Sequence, residues 1–406
     1  MNNKYNSLPM LRFPEFSGEW TQYKLGECFD ERNEQFPESS DYPLMAFIAG
    51  KGVTEKGEKY DRSALVKDAP NKKYKRTELG DFIYSSNNLE SGSIGLNRYG
   101  KACISPVYSI FKAKKGFDPY FIGTILTQKS FISEMIKYRQ GVVYGQWKIP
   151  EKEFLNLIIR IPSFGEQQRI AEFLEAEDRM IAAQEQKVEF LKTHKKGLMQ
   201  QLFPQPGTTT PALRFPGFTG DWEVKKLGEI ADVNPKSDKL PNKFVYIDLE
   251  SVESGNLLKK NIIEVKNAPS RAQRLLKKGD ILFQMVRPYQ RNNYHFYDND
   301  VNVYVASTGY AQIRYKDCSE YLYQYLHTDT FVDMAVSKCV GGNYPAINTT
   351  DLTNITVYLP SPAEQQMIAE CLGTLDNLIA AESKKLGFLK SHKKGLMQQL
   401  FPQPEK

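Results

Sequence analysis

Cysteine and histidine are scarce in this 406-residue chain, and neither is grouped. The five cysteines (Cys28, Cys103, Cys318, Cys339 and Cys371) are odd in number, far apart and form no CxxC pair. That leaves no disulfide framework and fits a reducing cytoplasm. Of the four histidines, His194 and His392 sit in matched KxHKK segments, while His295 and His327 stand alone. None has a second histidine or cysteine at ligand spacing, so no metal site is expected. No stretch approaches 18 consecutive apolar residues, which argues against a membrane span. The opening MNNKYNSLPM has no apolar core of the kind a secretory signal needs. There is no GxxxxGK[ST] phosphate loop, no FxGxG or [ND]PP[YF] methyltransferase signature, and no Ser/His/Asp set. A catalytic role therefore has no residues to rest on.

Charge of one sign is in only slight excess: 54 Lys and Arg stand against 48 Asp and Glu, a formal +6. That balance suits a polyanionic partner without requiring one. With 41% hydrophobic and 25% charged residues the composition is that of a globular protein long enough for two or three cores.

What the chain does have is a repeat. LRFPEFSGEWTQYKLGE at Leu11–Glu27 returns as LRFPGFTGDWEVKKLGE at Leu213–Glu229, an offset of 202 residues. IPSFGEQQRIAE at Ile161–Glu172 returns as LPSPAEQQMIAE at Leu359–Glu370, an offset of 198, and FLKTHKKGLMQQLFPQP at Phe190–Pro206 returns at Phe388–Pro404 with the same offset. The ends of the two copies nearly match while their interiors differ almost everywhere. Faint echoes survive inside, such as LGDFIYS against KGDILFQ. One scaffold carrying two different surfaces explains this better than drift, which would not have spared the lysines of KKGLMQQLFPQP.

The shared segments have helical periodicity. From Glu166 to Phe203 there is no proline and only one glycine; apolar residues fall at Ile170, Phe173, Leu174, Ile181 and Leu191, and in the second copy at Ile368, Leu372, Leu375, Ile379 and Leu389. These ten are the candidates for helix pairing and partner docking, because a stripe interrupted by charge suits one partner helix. Pro162 and Pro362 are placed just upstream of the helices, and Pro204 and Pro402 end them. The interiors, roughly 20–160 and 222–358, carry short β-rich runs (DFIYS, VYSIF, DILFQMV, VNVYVAS) between Gly, Asn and Pro turns. Each also has one helical stretch, PYFIGTILTQKSFISEMI and EYLYQYLHTDTFVDMAV.

A helix of about 38 residues is roughly 57 Å long at 1.5 Å per residue, while the connector PQPGTTTPA spans at most roughly 30 Å. An antiparallel helix pair with one domain at each end satisfies both reach and burial. The expected fold is thus α+β: two tandem α/β domains separated by two long helices packed as an antiparallel coiled coil, pseudo-twofold symmetric. The expected boundaries are 1–160 and 207–358 for the α/β domains, and 161–206 and 359–406 for the helical spacers.

The paired openings with Trp20 and Trp222, the paired EQQ-I-AE segments at Glu166–Glu172 and Glu364–Glu370, and the paired KKGLMQQLFPQP terminations resemble the specificity subunits of type I restriction-modification systems. The likeness covers nearly the whole chain. It implies two target recognition domains, each reading one half of an asymmetric bipartite site in double-stranded DNA, and no chemistry in this chain. It also implies a cytoplasmic complex with two methyltransferase subunits and two restriction subunits, on which S-adenosylmethionine, ATP and Mg would reside. Two other readings stand beside it: a specificity module serving a different methyltransferase or nuclease, and a coiled-coil protein adaptor.

On this resemblance the divergent interiors should hold the DNA contacts. Lys and Arg can meet phosphates, Asn and Gln can bond adenine bidentately, and Arg can do so with guanine. In the first interior NKKYKR offers Lys72, Lys73, Lys75 and Arg76; SSNNLESGSIGLNR offers Asn87, Asn88 and Arg98. YRQGVVYGQWK offers Arg139, Gln140, Tyr144, Gln146 and Lys148. In the second, RPYQRNNY supplies Arg287, Tyr289, Arg291, Asn292 and Asn293, with Arg271, Arg274, Lys338, Asn343 and Tyr344 beside it.

Overall fold

A computed structural model describes residues 8–55, 72–141, 147–298 and 300–402. The chain divides into two compact units: residues 1–183 together with 386–406, and residues 184–385.

In the first unit the β-rich runs form a four-stranded antiparallel sheet in the order Phe29–Glu31, Ser109–Ala113, Phe82–Tyr84, Ile94–Leu96. A three-stranded sheet, Gln35–Phe36 with Tyr74–Thr77 and Ala102–Ile104, lies apart from it. Thr21–Lys24 pairs antiparallel with Ile158–Ile161 and so ties the start of the interior to its end. The core is aromatic: Phe29, Phe82, Tyr84, Phe111, Phe121 and Phe154 are fully buried. Phe111 and Phe154 rings lie 4.5 Å apart, a distance at which aromatic pairs add to what area alone contributes.

The second unit repeats this plan. Its four-stranded sheet runs Ala231–Val233, Tyr310–Tyr315, Ile281–Gln284, Tyr294–His295, and Glu223–Lys226 pairs with Thr356–Leu359. The second sheet is larger, in the order Asn261–Glu264, Lys243–Ile247, Tyr304–Ser307, Ala272–Leu275, with Lys243–Ile247 and Tyr304–Ser307 parallel. The echo LGDFIYS/KGDILFQ is one turn in both units. Gly80 and Gly279 have φ of 85° and 87°, which favours glycine, and the aspartate that follows accepts the N–H three residues back, Glu78 to Asp81 and Lys277 to Asp280, each at 2.7 Å.

Each expected single helix within the interiors is two short ones: Pro119–Leu126 and Lys129–Ile136, then Ser319–Tyr325 and Asp329–Ser337. The break has a local cause in the second unit, where the Thr328 hydroxyl accepts from Phe331 N and starts a new helix. The long helices are Phe164–Leu202 and Pro362–Leu400, each of 39 residues. Pro362 is not upstream of the second helix but its first residue, where a missing N–H costs nothing.

Within each unit the long helices run antiparallel. In the first, Ile170 and Leu174 share a core with Leu400 and Phe401, while Asp178 accepts from Lys393 further along. In the second, Lys187 and Gln184 bond Glu382, and Lys195 bonds Asp376 at 2.6 Å. The helix stripes enter the cores of both units, and in the second Ile368 and Leu372 share a cluster with Leu202 of the other long helix. Ile170, Leu174, Ile368 and Leu372 are buried in the α/β core of their own unit, so these four are not free to dock another subunit. Phe173 is partly buried, its ring 5.8 Å from that of Phe13. Leu191 is buried, and Ile181, Leu375, Ile379 and Leu389 are half-buried.

Candidate nucleic-acid interface

The residue types expected at DNA are present in both units, but their partners sort them into two kinds. An arginine bonded to a carboxylate has its charge offset and its donors occupied. One held by neutral groups, or by none, keeps both for a phosphate or a base edge.

In the first unit Arg139 grips Glu90 with two bonds of 2.6 Å, and this bond holds the Glu90 carboxyl below its ordinary range. Arg98 lies over the Tyr120 ring at 4.5 Å and bonds Asp178 on the long helix at 3.1 Å. Both residues therefore fasten loops. Asn87 accepts from Trp147 N and Ser86 from Ile149 N, which joins the loop after Phe82–Tyr84 to the short hairpin of Gln140–Gly141 and Trp147–Lys148. Lys75 is corrected outright. The strand Tyr74–Thr77 points alternate residues inward, and Lys75 is 7% exposed with its ammonium donating to Tyr108 O at 3.0 Å. Burial lowers its pKa. The next residue, Arg76, lies half-buried between Phe36 and Tyr42, 4.1 and 4.4 Å from their rings. Lys72, Lys73, Asn88, Gln140 and Lys148 are exposed. Lys72 lies over Tyr74 at 5.6 Å, and Lys148 is 3.6 Å from Glu151. Tyr144 and Gln146 fall outside the described residues. Trp147, 49% exposed beside them, was not singled out by sequence; an aromatic inside a Gln/Lys hairpin was the available signal.

In the second unit the loop between Ile281–Gln284 and Tyr294–His295 is the centre. Asn293 is corrected here: it is 1% exposed, its Oδ1 accepts from Gln284 N at 2.8 Å, and its amide faces His327. Arg291 bonds Asp329 at 2.6 Å and His327 O at 3.0 Å, lowering the aspartate's pKa through that bond. Asn292 is occupied by Ser254 N and by Gln284. Arg274 is half-buried with an Nε that meets no acceptor among the described residues, and burial lowers its pKa. Arg271, Tyr289, Lys338, Asn343 and Tyr344 are exposed, and Arg287 lies against the last two.

Sequence reasoning also missed the two arginines that fix the frame. Arg12 and Arg214, in the repeated LRFP segments, each hold the first Glu of an EQQ segment. Their appearance at the same place in both copies was the signal.

The histidines are accounted for structurally. His194 stacks on Phe190 and His392 on Phe388, with ring centroids 6.1 and 6.0 Å apart. Among the described residues there is no cluster of His, Cys, Asp and Glu able to hold a metal, and no helix long and apolar enough to cross a membrane.

Comparison with known proteins places this geometry. The model of the type I restriction modification DNA specificity domain matches twice, over residues 17–193 and 219–390. The specificity subunit of type I restriction enzyme MjaVIII from Methanocaldococcus jannaschii is 24% identical over 364 residues, 84% of each chain. That of type I restriction enzyme HindI from Haemophilus influenzae is 31% identical over 169 residues, 39% of this chain and 36% of its own. Among solved structures, the S subunit of a type I restriction-modification system from M. genitalium covers 98% of this chain and 99% of its own, with TM-score 0.60 and 15% identity. A chain from a structural study of type I R-M complex assembly covers 94% and 96%, with TM-score 0.51 and 20% identity. These two likenesses speak to the fold. With two matches of the family model spanning most of its length, the chain belongs to the type I restriction modification DNA specificity family.

Proposed function

We propose that this chain is the DNA-reading, non-catalytic subunit of a type I restriction-modification complex in the cytoplasm, each α/β unit reading one half of an asymmetric two-part site in double-stranded DNA. Two methyltransferase subunits and, in the larger assembly, two restriction subunits would supply the chemistry, with S-adenosylmethionine, ATP and Mg bound on them. The observation that carries this reading is the contrast within the repeat. The two units share a sheet order, a GD turn and an arginine clasp, yet their exposed loops present different residues. Such a pair is suited to two different half-sites. Recognition domains over 1–160 and 207–358, spaced by helices within 161–206 and 359–406, fit that division of labour.

The test is single-molecule sequencing of host DNA with and without the gene. Adenine methylation at an asymmetric two-part sequence should disappear on deletion and return on complementation. An unchanged methylome overturns the proposal.

A further inference from the structure

The segment Gln284–Asn293 is anchored at both ends and around its turn. Gln284, itself buried, donates from Nε2 to Val286 O at 2.8 Å and to Gln290 Oε1 at 2.9 Å, and accepts from Asn292 N at 3.0 Å. A 3-10 turn, Pro288–Gln290, is flanked by two left-handed arginines, Arg287 at φ 55° and Arg291 at φ 56°. A left-handed residue that is not glycine is strained and persists only where its surroundings impose it. Arg287 carries the further constraint of preceding a proline. Its backbone is held by Arg287 N donating to Pro345 O at 2.7 Å, beside the antiparallel bridge between Val286 and Ala346.

Six arginines lie in this unit, and their partners separate them. Arg214, Arg291 and Arg314 are paired with Glu364, Asp329 and Asp280. Arg274 is half-buried. Arg271 is exposed and no acceptor or ring holds its guanidinium among the described residues. Arg287 differs from all five. Its Nε and Nη2 both donate to one neutral carbonyl, Asn343 O, at 3.3 and 3.0 Å. Its guanidinium carbon sits 4.2 Å from the centre of the Tyr344 ring, which is 68% exposed. A carbonyl and a ring orient a guanidinium without cancelling its charge. The edge formed by Nη1 and the outer hydrogen of Nη2 then meets no acceptor among the described residues. Two parallel donors in one plane match the N7 and O6 acceptors of guanine in the major groove.

We infer that Arg287 is the guanine-reading residue of the second half-site, with Tyr344 and the Asn343 carbonyl as its positioning groups. This rests on the proposed DNA-reading function. The strained backbone and the ring fix the fork before DNA arrives, so little side-chain freedom is lost on binding.

The test uses the full chain with its methyltransferase subunits, with methylation rate as readout on the native site and on sites in which each guanine of the second half is replaced by 7-deazaguanine, which lacks the N7 acceptor. Wild type should lose rate at one such guanine. Arg287→Lys keeps the charge but not the fork; it should methylate the native site roughly 5- to 150-fold more slowly and be indifferent to 7-deazaguanine at that position. Tyr344→Ala should show the same change in smaller measure, and Tyr344→Phe should restore it, whereas a merely structural role for Tyr344 would slow every site alike. An Arg287→Lys variant slowed equally on all sequences, or still sensitive to 7-deazaguanine, overturns the inference while leaving the proposed function intact. Wild type that methylates without sequence preference overturns both.

Discussion

Arg12 holds Glu166 by two parallel hydrogen bonds, Nε to Oε1 at 2.8 Å and Nη2 to Oε2 at 2.7 Å. Arg214 holds Glu364 in the same way, at 2.8 and 2.6 Å. Each arginine also donates to two backbone carbonyls of its own segment, Ser17 and Gly18 in one unit, Thr219 and Gly220 in the other. The clasp joins the LRFP segment to the first turn of a long helix, and the carboxylate is 1% exposed in both units.

Removing the arginine should therefore be far worse than losing a surface ion pair. Arg12→Ala strands a buried carboxylate, for which about 3–5 kcal/mol is the expected cost. Arg12→Ala combined with Glu166→Gln should cost less than the two single changes added, because the stranded charge is gone. Hydrogen exchange of the segments around Trp20 and Glu166 measures this. Costs that simply add would show that the pair contributes no coupling.

The second unit should be acid-sensitive at two histidines. Burial, the largest influence, holds both His295 and His327 down to about 4, against an ordinary value of 6.5. Glu320 and Asp280 near His295, and Asp376 near His327, oppose that effect, while Lys195 and Arg291 add to it at His327. Unfolded chain takes up a proton as pH falls through the ordinary value, and folded chain does so only near 4. The stability of this unit is therefore complete above the ordinary value and lost between there and 4, by roughly 1 kcal/mol per pH unit for each group. Urea unfolding followed at pH 7 and pH 5 should show the loss. His327→Gln should flatten the slope, and an unchanged slope would remove His327 from the account.

The repeat, the long helices and the β-rich runs were legible because each depends on a pattern: offsets of 198 and 202, apolar spacing, Gly and Pro turns. What sequence did not disclose was decided by partners distant in the chain. Lys75 faces inward because strand register places alternate residues of Tyr74–Thr77 against Tyr108; its charge suggested the opposite side. Asn293 has the side chain of a base reader, yet its amide is needed to fasten Gln284 nine residues earlier. Arg98, Arg139 and Arg291 have the composition of DNA contacts and the geometry of fasteners, since Asp178, Glu90 and Asp329 reach them only in the fold. Lys72, Lys73, Arg76, Arg271 and Arg287 keep charges that no carboxylate among the described residues pairs with.

The end of the chain should be needed by its beginning. Phe401 is 2% exposed; its ring lies 5.5 Å from that of Phe121 and 6.4 Å from that of Trp20. Leu11 N donates to Gln399 O at 2.9 Å. In the second unit Phe203 meets Trp222, Tyr321 and Tyr325, and Leu213 N donates to Gln201 O. Phe401→Ala should cost the first unit about 3–5 kcal/mol and shift the emission of Trp20. Hydrogen exchange should show protection falling in the first unit while the second is unchanged; equal loss in both would contradict the separate cores.

DNA readout and protein adaptation differ in their response to salt. Phosphate contacts release counterions, so the logarithm of affinity falls linearly with that of salt concentration, by about 0.9 per phosphate neutralised. Lys72 and Lys73 are exposed, with no carboxylate bonded to either among the described residues. Replacing both with alanine should weaken binding of the complex to every DNA sequence by a similar factor. It should also make the salt slope shallower by about 2, since each lysine removed leaves one phosphate with its counterions. Specificity should be untouched, because charge without geometry carries no sequence information. Fluorescence anisotropy between about 50 mM and 200 mM salt supplies the slope. A slope near zero for the unaltered complex would favour a protein adaptor. A steep slope indifferent to the two lysines would assign the phosphate contacts to other basic residues of the complex.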